Sequence, residues 1–450
     1  MTLGTTTCHF VPPYLLRQLA EGRDQGAPVA EEAARAAGQT LAVDVVFRSA
    51  RAGNAARPTT HAAGPVAWTV HTAANGTSLP GALVRSAGQP DSGDAAVDEA
   101  AYGGQGTLDL FDQVYGRSSF DGQGAEVTMT VHYGRSYDNA FWNGDQLVFG
   151  DGDGRIFGRF TKPVDVLGHE LTHAVTEHTA GLVYQGQSGA LNESVSDVFA
   201  CCMKQRLLGQ TVDQADWLIG QGLFLPGIRA RALRDMAAPG TAYDDPQLGK
   251  DPQVAHLDDY VDTPDDNGGV HLNSGIPNKA FHLAATAIGG TSWDGAGMIW
   301  FAALTGSDIG PDTDFAGFAA ATVAVAGDHA DAVAQAWASV GVRVGSAGGG
   351  SGAPQVPVPA AEGDVVSVRR SGGFAGLTSV GSVALVGDDP RVGQVRDLVG
   401  RVDLGAVVPT QPRPDMFVYS FELPGQPALE LPEHDLTDDL RSLARLVLGD

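Results

Sequence analysis

Two patterns of apolar and polar positions divide the chain. Up to about residue 150, short β-branched or aromatic runs such as EVTMTVHYG (126–134) and DQLVFG (145–150) lie between Gly, Asn and Asp. This pattern predicts strands joined by tight turns. From residue 161 onward the stretches are longer and amphipathic, which predicts helices. A β-rich part followed by a helical part predicts an α+β fold of two lobes with a cleft between them.

Residues 345–363 form the clearest boundary, because Gly and Ser give way there to alternating Pro. Such a segment cannot bury a core and acts as a linker. A weaker boundary lies at 48–65, which is rich in Ala, Gly and Arg without a hydrophobic period. We therefore predict an N-terminal segment (1–50), a β-rich lobe (51–160), a helical lobe (161–344), the linker (345–363) and a small C-terminal domain (364–450).

Charge and composition exclude several classes of function. The 450 residues carry 53 acidic and 28 basic side chains, which argues against nucleic acid as a partner, because phosphate binding needs clustered Lys and Arg. No stretch is long and apolar enough to span a membrane, and the N-terminus lacks the pattern of a secretory signal. Cys8, Cys201 and Cys202 are too few for a disulfide framework. We expect Cys201 and Cys202 to be buried thiols.

The segment TKPVDVLGHELTHAVTEHTAG (161–181) predicts a helix. Thr161 can cap its start, Pro163 lies in its first turn, and Gly181 can end it. The sequence His-Glu-x-x-His lies within this helix. By itself this short motif is common, so its interpretation depends on what surrounds it.

His169 and His173 are four residues apart, so both project from one face of the helix and can reach one metal ion. Glu170 borders the open position of that site. A catalytic zinc needs three protein ligands and one water. Glu193 follows after a length of chain that allows a second helix to return antiparallel, so we predict it as the third ligand.

Two further side chains are candidates to orient the ligand histidines. Asp197 shares a helical face with Glu193 and can accept the spare ring N–H of a histidine, and Asn192 is a second candidate for that role. Zinc lowers the pKa of bound water, and Glu170 can accept the water proton and pass it to a departing amine. These residues predict amide hydrolysis without a covalent intermediate.

From about residue 66 to 343 the sequence resembles the thermolysin family of zinc endopeptidases. In DNAFWNGDQLVFGDGDG (138–154), which is similar to the family's edge strand, the resemblance implies that Asn139 and Ala140 hold the substrate backbone. It also implies that Tyr184 in GLVYQGQSGALNE and His271 in DDNGGVHLNSGIPNKAF stabilise the oxyanion, with Asp266 orienting the His271 ring.

The same resemblance implies a specificity. Arg234 matches the family's arginine that binds the substrate carbonyl beyond the scissile bond, and Leu233 and Val166 match positions that line the next side-chain pocket. Apolar walls imply cleavage before Leu, Phe, Val or Ile, since burying such a side chain gains about 1.5 to 3 kcal/mol.

The sequence departs from the family at its paired calcium site. Asp165 and Asp216 are retained, but Lys204, Leu218 and Gln221 occupy other matching positions. A lysine cannot ligate calcium, whereas its ammonium group can neutralise the two carboxylates. We therefore expect one catalytic Zn²⁺ and little or no Ca²⁺ at that site.

The opening CHFVPPYLLRQLAEG (8–22) resembles the short propeptide of the protealysin group, which implies an inhibitory segment that is later clipped off. Val45, Val46 and Phe47 are residues the enzyme itself would accept after a cut, so we predict self-processing near them. A Cys8 thiolate could also occupy the open zinc position. The alternative is that Cys8 is a small packed residue.

The C-terminal domain predicts two strands, in VVSVRRSGGFAGL (365–377) and DMFVYSFELPG (415–425), and a helix with Leu440, Leu443 and Val447 at helical spacing and Thr437 as cap. It resembles emfourin, a small protein inhibitor of protealysin. The resemblance implies inhibition in cis at a high effective concentration. The alternative is a tethered domain that binds substrate or a cell surface.

Together these features predict a monomeric zinc endopeptidase made as a zymogen, with protein or peptide substrates. A catalytically silent binding module of the same fold is one alternative. A zinc aminopeptidase is another, but it would need a site for a free amine, and the DNAFWNG strand resembles an endopeptidase subsite instead. The family resemblance implies secretion without a classical signal peptide, and residence in the cytoplasm is the alternative.

Overall fold

The computed structural model describes residues 8–22, 31–51, 66–344, 365–372, 379–385, 391–402, 404, 417–423 and 429–448. Some side chains within these ranges, including those of Cys8 and residues 45–51, lie outside the description. Contacts divide the chain into two units, Met1–Ser351 and Gly352–Asp450. The division falls within the predicted linker 345–363, which is outside the described residues.

The first half of the larger unit contains a six-stranded sheet. Its strands are β1 (Cys8–His9), β2 (Trp68–Thr72), β3 (Ala82–Ser86), β4 (Val127–Val131), β5 (Ala140–Trp142) and β6 (Leu147–Phe149). They stand in the order β1-β5-β6-β4-β2-β3. The pairs β2–β4 and β4–β6 are parallel and the other pairs are antiparallel. The runs EVTMTVHYG and DQLVFG form β4 and β6, as predicted.

A long helix, α3 (Ala95–Gln113), packs on this sheet, and the apolar pattern did not predict it. A Cβ atom on Gly103 would lie 2.7 Å from Cγ of Leu167, and one on Gly104 would lie 2.7 Å from Sδ of Met129. The helix therefore needs glycine where it approaches its neighbours. Each glycine lowers helix propensity by about 1 kcal/mol relative to Ala, which weakens the local sequence preference for a helix.

Helices dominate the second half of the larger unit. They are α4 (Val164–Glu177), α5 (Gly186–Leu208), α6 (Asp266–Asn273), α7 (Gly275–Ile288), α8 (Ala296–Thr305), α9 (Phe315–Val325) and α10 (Ala330–Ser339). Two short strand pairs lie between α5 and α6, β7 (Leu218–Ile219) with β8 (Arg234–Asp235) and β9 (Asp244–Asp245) with β10 (Gly249–Lys250). Helices α4 and α5 pack against each other and are buried along most of their length.

The boundaries of α4 differ from the predicted ones. Pro163, not Thr161, is the N-cap residue, and no side chain caps the helix. The hydroxyl of Thr161 instead donates a hydrogen bond to Oε2 of Glu99 at 2.7 Å, which takes it away from the helix start. The helix ends at Glu177, and Gly181 follows in the next loop with φ of 62°. The predicted Thr161 cap was therefore wrong.

The N-terminal segment adds two helices to the larger unit, α1 (Pro13–Gly22) and α2 (Glu31–Arg51). Leu15, Leu16 and Leu19 of α1 are buried in the same hydrophobic cluster as the sheet and α4. Positions 45–47, where we predicted self-processing, lie within α2, and their side chains are outside the described residues. Cleavage there requires α2 to unwind locally.

In its described residues, the smaller unit contains a four-stranded antiparallel sheet and two α-helices. The strands are β11 (Val365–Gly372), β12 (Ser379–Ala384), β13 (Phe417–Glu422) and β14 (Leu429–Pro432), in the order β12-β11-β13-β14, and the helices are α11 (Val392–Val399) and α12 (Asp438–Leu448). The predicted cap is confirmed, since Oγ1 of Thr437 accepts a hydrogen bond from the amide of Leu440 at 3.3 Å. The apolar face of α12 is buried, as predicted.

The predicted α+β architecture, with a β-rich part followed by a helical part, is confirmed. One large hydrophobic cluster includes side chains from both parts of the larger unit, and the smaller unit has its own core. Among the helices in the described part of the chain, none combines the length and the apolar character needed to cross a membrane.

Candidate metal centre and substrate cleft

Helices α4 and α5 bring together three metal-binding side chains, His169, His173 and Glu193. One ligand atom from each lies within 4.8 Å of the others. The two Nε2 atoms are 3.0 Å apart, and Nε2 of His169 is 3.4 Å from Oε2 of Glu193. All three side chains are buried. The structure therefore brings the predicted zinc ligands together as a possible metal site.

The outer ring nitrogen of each histidine meets an acceptor on α5. Nδ1 of His169 lies 2.9 Å from Oδ1 of Asp197, and Nδ1 of His173 lies 2.8 Å from Oδ1 of Asn192. These contacts favour a proton on each Nδ1, so the two Nε2 lone pairs face each other and the Glu193 carboxylate. Such a set of acceptors repels itself unless a cation binds, and two imidazoles with one carboxylate suit zinc.

The carboxylate of Asp197 is fixed by hydrogen bonds from several side chains. It accepts hydrogen bonds from Nε and Nη2 of Arg234, each at 2.7 Å, and from Nδ2 of Asn278 at 2.9 Å. Burial alone would raise the pKa of Asp197, but the charge of Arg234 and the hydrogen bond with His169 hold it at about 2. Asp197 is therefore a fixed anion behind the metal ligand.

Sequence reasoning missed two members of this network. Asn278 lies 81 positions beyond Asp197 on α7, and no local pattern links the two. Ser196 also reaches the centre, with its Oγ 3.0 Å from Nδ1 of His173. It lies three residues after Glu193, which places it on nearby turns of the same helix, and that spacing could have identified it.

Glu170 lies next to the ligand His169 on α4 and is fully buried. Burial raises its pKa to about 8. A carboxylate in such a position is suited to accept and return a proton near neutral pH.

Tyr184, His271 and Asp266 form a second group beside the metal ligands. The hydroxyl of Tyr184 lies 3.3 Å from Nε2 of His271 and donates a hydrogen bond to Oε1 of Glu193. Nδ1 of His271 is 2.6 Å from Oδ1 of Asp266. Burial alone would lower the pKa of His271, but the charge of Asp266 raises it.

The entry to α6 sets the position of Asp266. This residue has φ of 54°, and the next three, residues 267–269, also have positive φ. From this irregular turn the carboxylate reaches forward along the helix, where Oδ2 accepts a hydrogen bond from the amide of His271 at 3.0 Å. The same carboxylate thus holds both the backbone and the ring of His271.

The chain's own N-terminal segment forms an edge strand of the six-stranded sheet. β1 pairs with β5 antiparallel, with His9 opposite Phe141. The amide of Phe10 donates a hydrogen bond to the carbonyl of Ala140 at 3.1 Å. Oδ1 of Asn139 accepts from the amide of Val11 at 2.8 Å, and its Nδ2 donates to the Val11 carbonyl at 3.3 Å.

Phe10 is fully buried beside the metal ligands. Its ring centre is 5.1 Å from that of His169 and 4.8 Å from the guanidinium carbon of Arg234, whose Nη1 donates to the Phe10 carbonyl at 3.2 Å. A Cβ on Gly220 would lie 3.3 Å from the Phe10 ring and 3.2 Å from Cβ of Leu233. Val166 lies on α4, one turn before His169, in the same buried cluster.

Helix α2 is also fixed to residues 137–139, which lead into β5, and sequence reasoning did not predict this. The buried carboxylate of Asp44 accepts hydrogen bonds from the hydroxyl of Tyr137 at 2.6 Å and from Nδ2 of Asn139 at 3.1 Å. The amide of Asp138 donates to Oγ1 of Thr40 at 3.0 Å. By contrast, the side chain of Cys8 lies outside the described residues, so its proposed bond to zinc stays a prediction.

Comparison with known proteins agrees with this geometry. The family model of the thermolysin metallopeptidase catalytic domain matches residues 59–177, and that of the thermolysin metallopeptidase alpha-helical domain matches residues 180–342. The Emfourin model matches residues 368–448.

Individual relatives cover much of the chain. An extracellular metalloprotease of Pectobacterium carotovorum subsp. carotovorum is 50% identical over 347 residues, which are 75% of this chain and 97% of that protein. A thermolysin of Alicyclobacillus acidocaldarius subsp. acidocaldarius is 41% identical over 284 residues, which are 60% of this chain and 50% of that protein.

Among solved structures, the precursor of protealysin, a metalloproteinase from Serratia proteamaculans, is similar with a TM-score of 0.68 and 50% sequence identity. The match covers 74% of this chain and 99% of that chain. Three findings agree. Two family models match in order, the Pectobacterium relative is matched over nearly its whole length, and the His-His-Glu cluster is buried. The chain therefore belongs to the thermolysin family of metallopeptidases, which are zinc-dependent hydrolases, and it carries an Emfourin domain at its C-terminus.

Proposed function

We propose that this protein is an endopeptidase, made as a zymogen, that cuts peptide bonds on the N-terminal side of bulky apolar residues. One observation carries this proposal: the chain's own segment lies against β5 as an added strand, with Phe10 buried beside the metal ligands. A cleft that binds backbone along a strand accepts a chain in mid-sequence. This supports an endopeptidase over an aminopeptidase.

His169, His173 and Glu193 would hold the zinc ion, and Asp197 and Asn192 would fix the orientation of the two imidazoles. Zinc bound there would acidify water and polarise the substrate carbonyl. Glu170 would take the proton from the attacking water and return it to the nitrogen of the departing amine. Its place next to the ligand His169 on the same helix, fully buried at the metal centre, supports this role.

Tyr184 and His271 would donate hydrogen bonds to the oxyanion, with Asp266 holding the His271 ring. Their proximity supports the assignment, since the Tyr184 hydroxyl and Nε2 of His271 are 3.3 Å apart. Asn139 and Ala140 would bind the substrate backbone, and Arg234 would bind the carbonyl after the scissile bond. The contacts these three residues make with Phe10 and Val11 support these roles.

Leu233 and Val166 would form the apolar wall of the pocket for the residue after the cut. The burial of Phe10 in the same cluster supports a preference for Phe, Leu, Val or Ile. Burying such a side chain contributes about 1.5 to 3 kcal/mol, so replacement by Asp should lower kcat/KM by roughly 10- to 100-fold.

The test uses processed enzyme and pairs of peptides that differ only in the residue after the expected cut, Phe or Leu against Asp. We expect cleavage before Phe and Leu, loss of activity after metal removal, and recovery with zinc. Glu170→Ala should be inactive, whereas the exposed Glu126→Ala should match the parent enzyme. If zinc-loaded enzyme cleaved no peptide, the silent binding module would be the better account.

Residues 1–50 would act as an inhibitory propeptide. The hydrogen bonds of Phe10 and Val11 to the cleft, and those of Asp44 to Tyr137 and Asn139, support this assignment. Substrate could then bind only after the segment leaves. A synthetic peptide of residues 8–22 should inhibit the processed enzyme competitively, and a purely noncompetitive effect would contradict the proposal.

The Emfourin domain would inhibit the peptidase of the same chain, through a high effective concentration set by the linker. The match of the Emfourin model to residues 368–448 of the same chain supports this proposal, because it agrees with the sequence resemblance. Deleting residues 345–450 should raise the activity of the processed enzyme. Unchanged activity would instead favour a tethered domain that binds substrate or a cell surface.

We propose that the enzyme acts outside the cell as a monomer. The Pectobacterium relative is described as extracellular, which supports secretion. Cell fractionation should find the processed enzyme in the medium, and its presence only in the cytoplasm would contradict this. A single species of monomer mass in solution would support the oligomeric state.

A further inference from the structure

The peptide bond between His9 and Phe10 has polar contacts with the rest of the protein on both its carbonyl side and its amide side. Nε2 of His271 lies 3.0 Å from the carbonyl oxygen of His9. The Phe10 amide donates to the carbonyl of Ala140 at 3.1 Å, and Arg234 donates to the Phe10 carbonyl at 3.2 Å. Each polar group of this bond and the carbonyl that follows it therefore meets a group of the cleft.

The carbonyl of His9 also lies at the edge of the metal centre. Nε2 of His271, which contacts this carbonyl, is 3.6 Å from Oε2 of the ligand Glu193 and 3.3 Å from the Tyr184 hydroxyl. One of the two groups proposed to bind the oxyanion, His271, thus contacts the His9 carbonyl, and the other, Tyr184, lies 3.3 Å from that histidine. The next two carbonyls contact other groups, since the Phe10 carbonyl accepts from Arg234 and the Val11 carbonyl accepts from Asn139.

Because successive side chains point to opposite faces of a strand, those of His9 and Phe10 have different surroundings. Phe10 is buried beside His169 and Arg234, where the proposed pocket accepts bulky apolar residues. The ring of His9 lies instead near Phe141, at 5.5 Å between centres, and 3.5 Å from Oδ1 of Asp44. The residue after the bond is therefore the type that the pocket accommodates.

We propose that the His9–Phe10 bond is itself a substrate, which the zymogen hydrolyses within its own cleft as its first processing step. This inference rests on the proposed function of the same site. Water forms a C–O bond to the His9 carbonyl carbon while Glu170 takes its proton, and the C–N bond then breaks with its electron pair going to the Phe10 nitrogen. That nitrogen takes the proton held by Glu170 and then the second proton of the attacking water, which leaves a His9 carboxylate and a protonated Phe10 amine.

This cut does not by itself activate the enzyme. Residues beyond Phe10 keep their contacts: Val11 still binds Asn139, the leucines of α1 stay buried, and Asp44 still accepts from Tyr137. The remainder of the segment thus continues to fill the cleft. Full activity requires a later cut that removes α1 and α2.

In the experiment, intact full-length protein is purified in the presence of a chelator, and the reaction is started by adding zinc. Mass spectrometry should show a species beginning at Phe10, formed with a first-order rate constant that is the same at every protein concentration. Glu170→Ala should give none of it. A rate constant that rose with protein concentration would show cleavage between molecules and overturn the inference.

Two substitutions of Phe10 test the register. Phe10→Leu keeps an apolar residue after the bond and should still be cut, whereas Phe10→Asp should slow the cut by roughly 10- to 100-fold. Circular dichroism and thermal melting show whether both variants fold. Equal cleavage of both folded variants at this bond would overturn the inference.

A separate assay distinguishes this inference from the proposed function. If processed enzyme cleaves synthetic peptides before Phe while the full-length chain never loses residues 1–9, the inference is wrong and the proposed function stands. If neither substrate is cleaved, the proposed function itself fails.

Discussion

The ammonium group of Lys204 lies 2.9 Å from Oδ1 of Asp216, and it also donates a hydrogen bond to the backbone carbonyl of Leu218 at 2.8 Å. The buried carboxylate of Asp165 lies 3.5 Å away on the other side. Two carboxylates and a backbone carbonyl are ligands that calcium prefers. Here a cation belonging to the chain lies among them.

We therefore expect the zinc-loaded enzyme to be stable without calcium. The Lys204 ammonium supplies the positive charge that a calcium ion would otherwise provide. Calorimetry in zinc buffer should give the same Tm with and without added calcium. A clear rise in Tm on adding calcium would contradict this account of the site.

Lys204→Met should destabilise the folded protein by roughly 2 to 4 kcal/mol, because it leaves the Asp165 carboxylate buried without its cation. Denaturant unfolding at neutral pH measures the loss. The exposed Lys250 gives a matched control, and Lys250→Met should change the free energy of unfolding little. Equal effects of the two substitutions would contradict the role of Lys204 as the cation that neutralises Asp165.

His132 should make stability depend on pH. Its ring nitrogens lie 2.8 Å from Asp151 and 3.0 Å from Asp94. The hydrogen bond with Asp151, assisted by Asp94 and opposed by burial, raises the pKa of His132 to about 9. Because this pKa lies above the unfolded value of about 6.5, the stabilisation is complete below pH 6.5 and is lost as the pH rises through 9.

His132→Gln should therefore lower the free energy of unfolding at pH 6, by about 1 kcal/mol because water screens these partly exposed ion pairs, and much less at pH 10. Any strain at this position, where φ is 55°, contributes equally at both pH values and cancels in the comparison. Urea unfolding at the two pH values measures the difference. An equal loss at both would show that the ion pairs contribute nothing.

Tyr184→Phe should reduce kcat by roughly 100- to 1000-fold with a small change in KM, because an oxyanion donor acts in the transition state. Initial rates of the processed enzyme on a peptide cut before Phe give both constants. Tyr102, which is 59% exposed, provides the control substitution Tyr102→Phe. A change confined to KM would instead assign Tyr184 to ground-state binding.

Asp197→Asn should weaken zinc binding by roughly 10- to 100-fold, because the orienting anion behind His169 is lost. Competition with a chromophoric chelator measures the affinity directly, without reference to activity. The exposed Asp145→Asn is the matched control. Unchanged zinc affinity in Asp197→Asn would show that Arg234 and Asn278 hold this carboxylate for another reason.

Much of the metal centre could be predicted from the sequence, because its ligands lie on two helices that follow each other in the chain. The spacing of His169 and His173 fixes their common face, and Glu193 and Asp197 repeat the same spacing on the returning helix. Asn278 could not be predicted in this way, since only the packing of α7 brings it to Asp197.

Other features depend on contacts that leave no periodic pattern. Helix α3 is glycine-rich where it meets Leu167 and Met129, so packing requirements override its weak propensity. The anchoring of α2 through Asp44 joins residues more than 90 positions apart. The start of α4 was predicted at Thr161, but a hydrogen bond to Glu99 takes that hydroxyl elsewhere.

The added strand has a consequence for protein engineering. Asn139, Ala140, Arg234 and His271 contact the chain's own segment through the groups proposed to contact a foreign substrate. The affinity for substrate and the affinity for the chain's own N-terminal segment are therefore linked. A variant selected for tighter substrate binding through these groups will also bind its own N-terminal segment more tightly, so it will be activated more slowly. Substitutions at Asp44 or Thr40, by contrast, can weaken the binding of this segment without changing the processed enzyme.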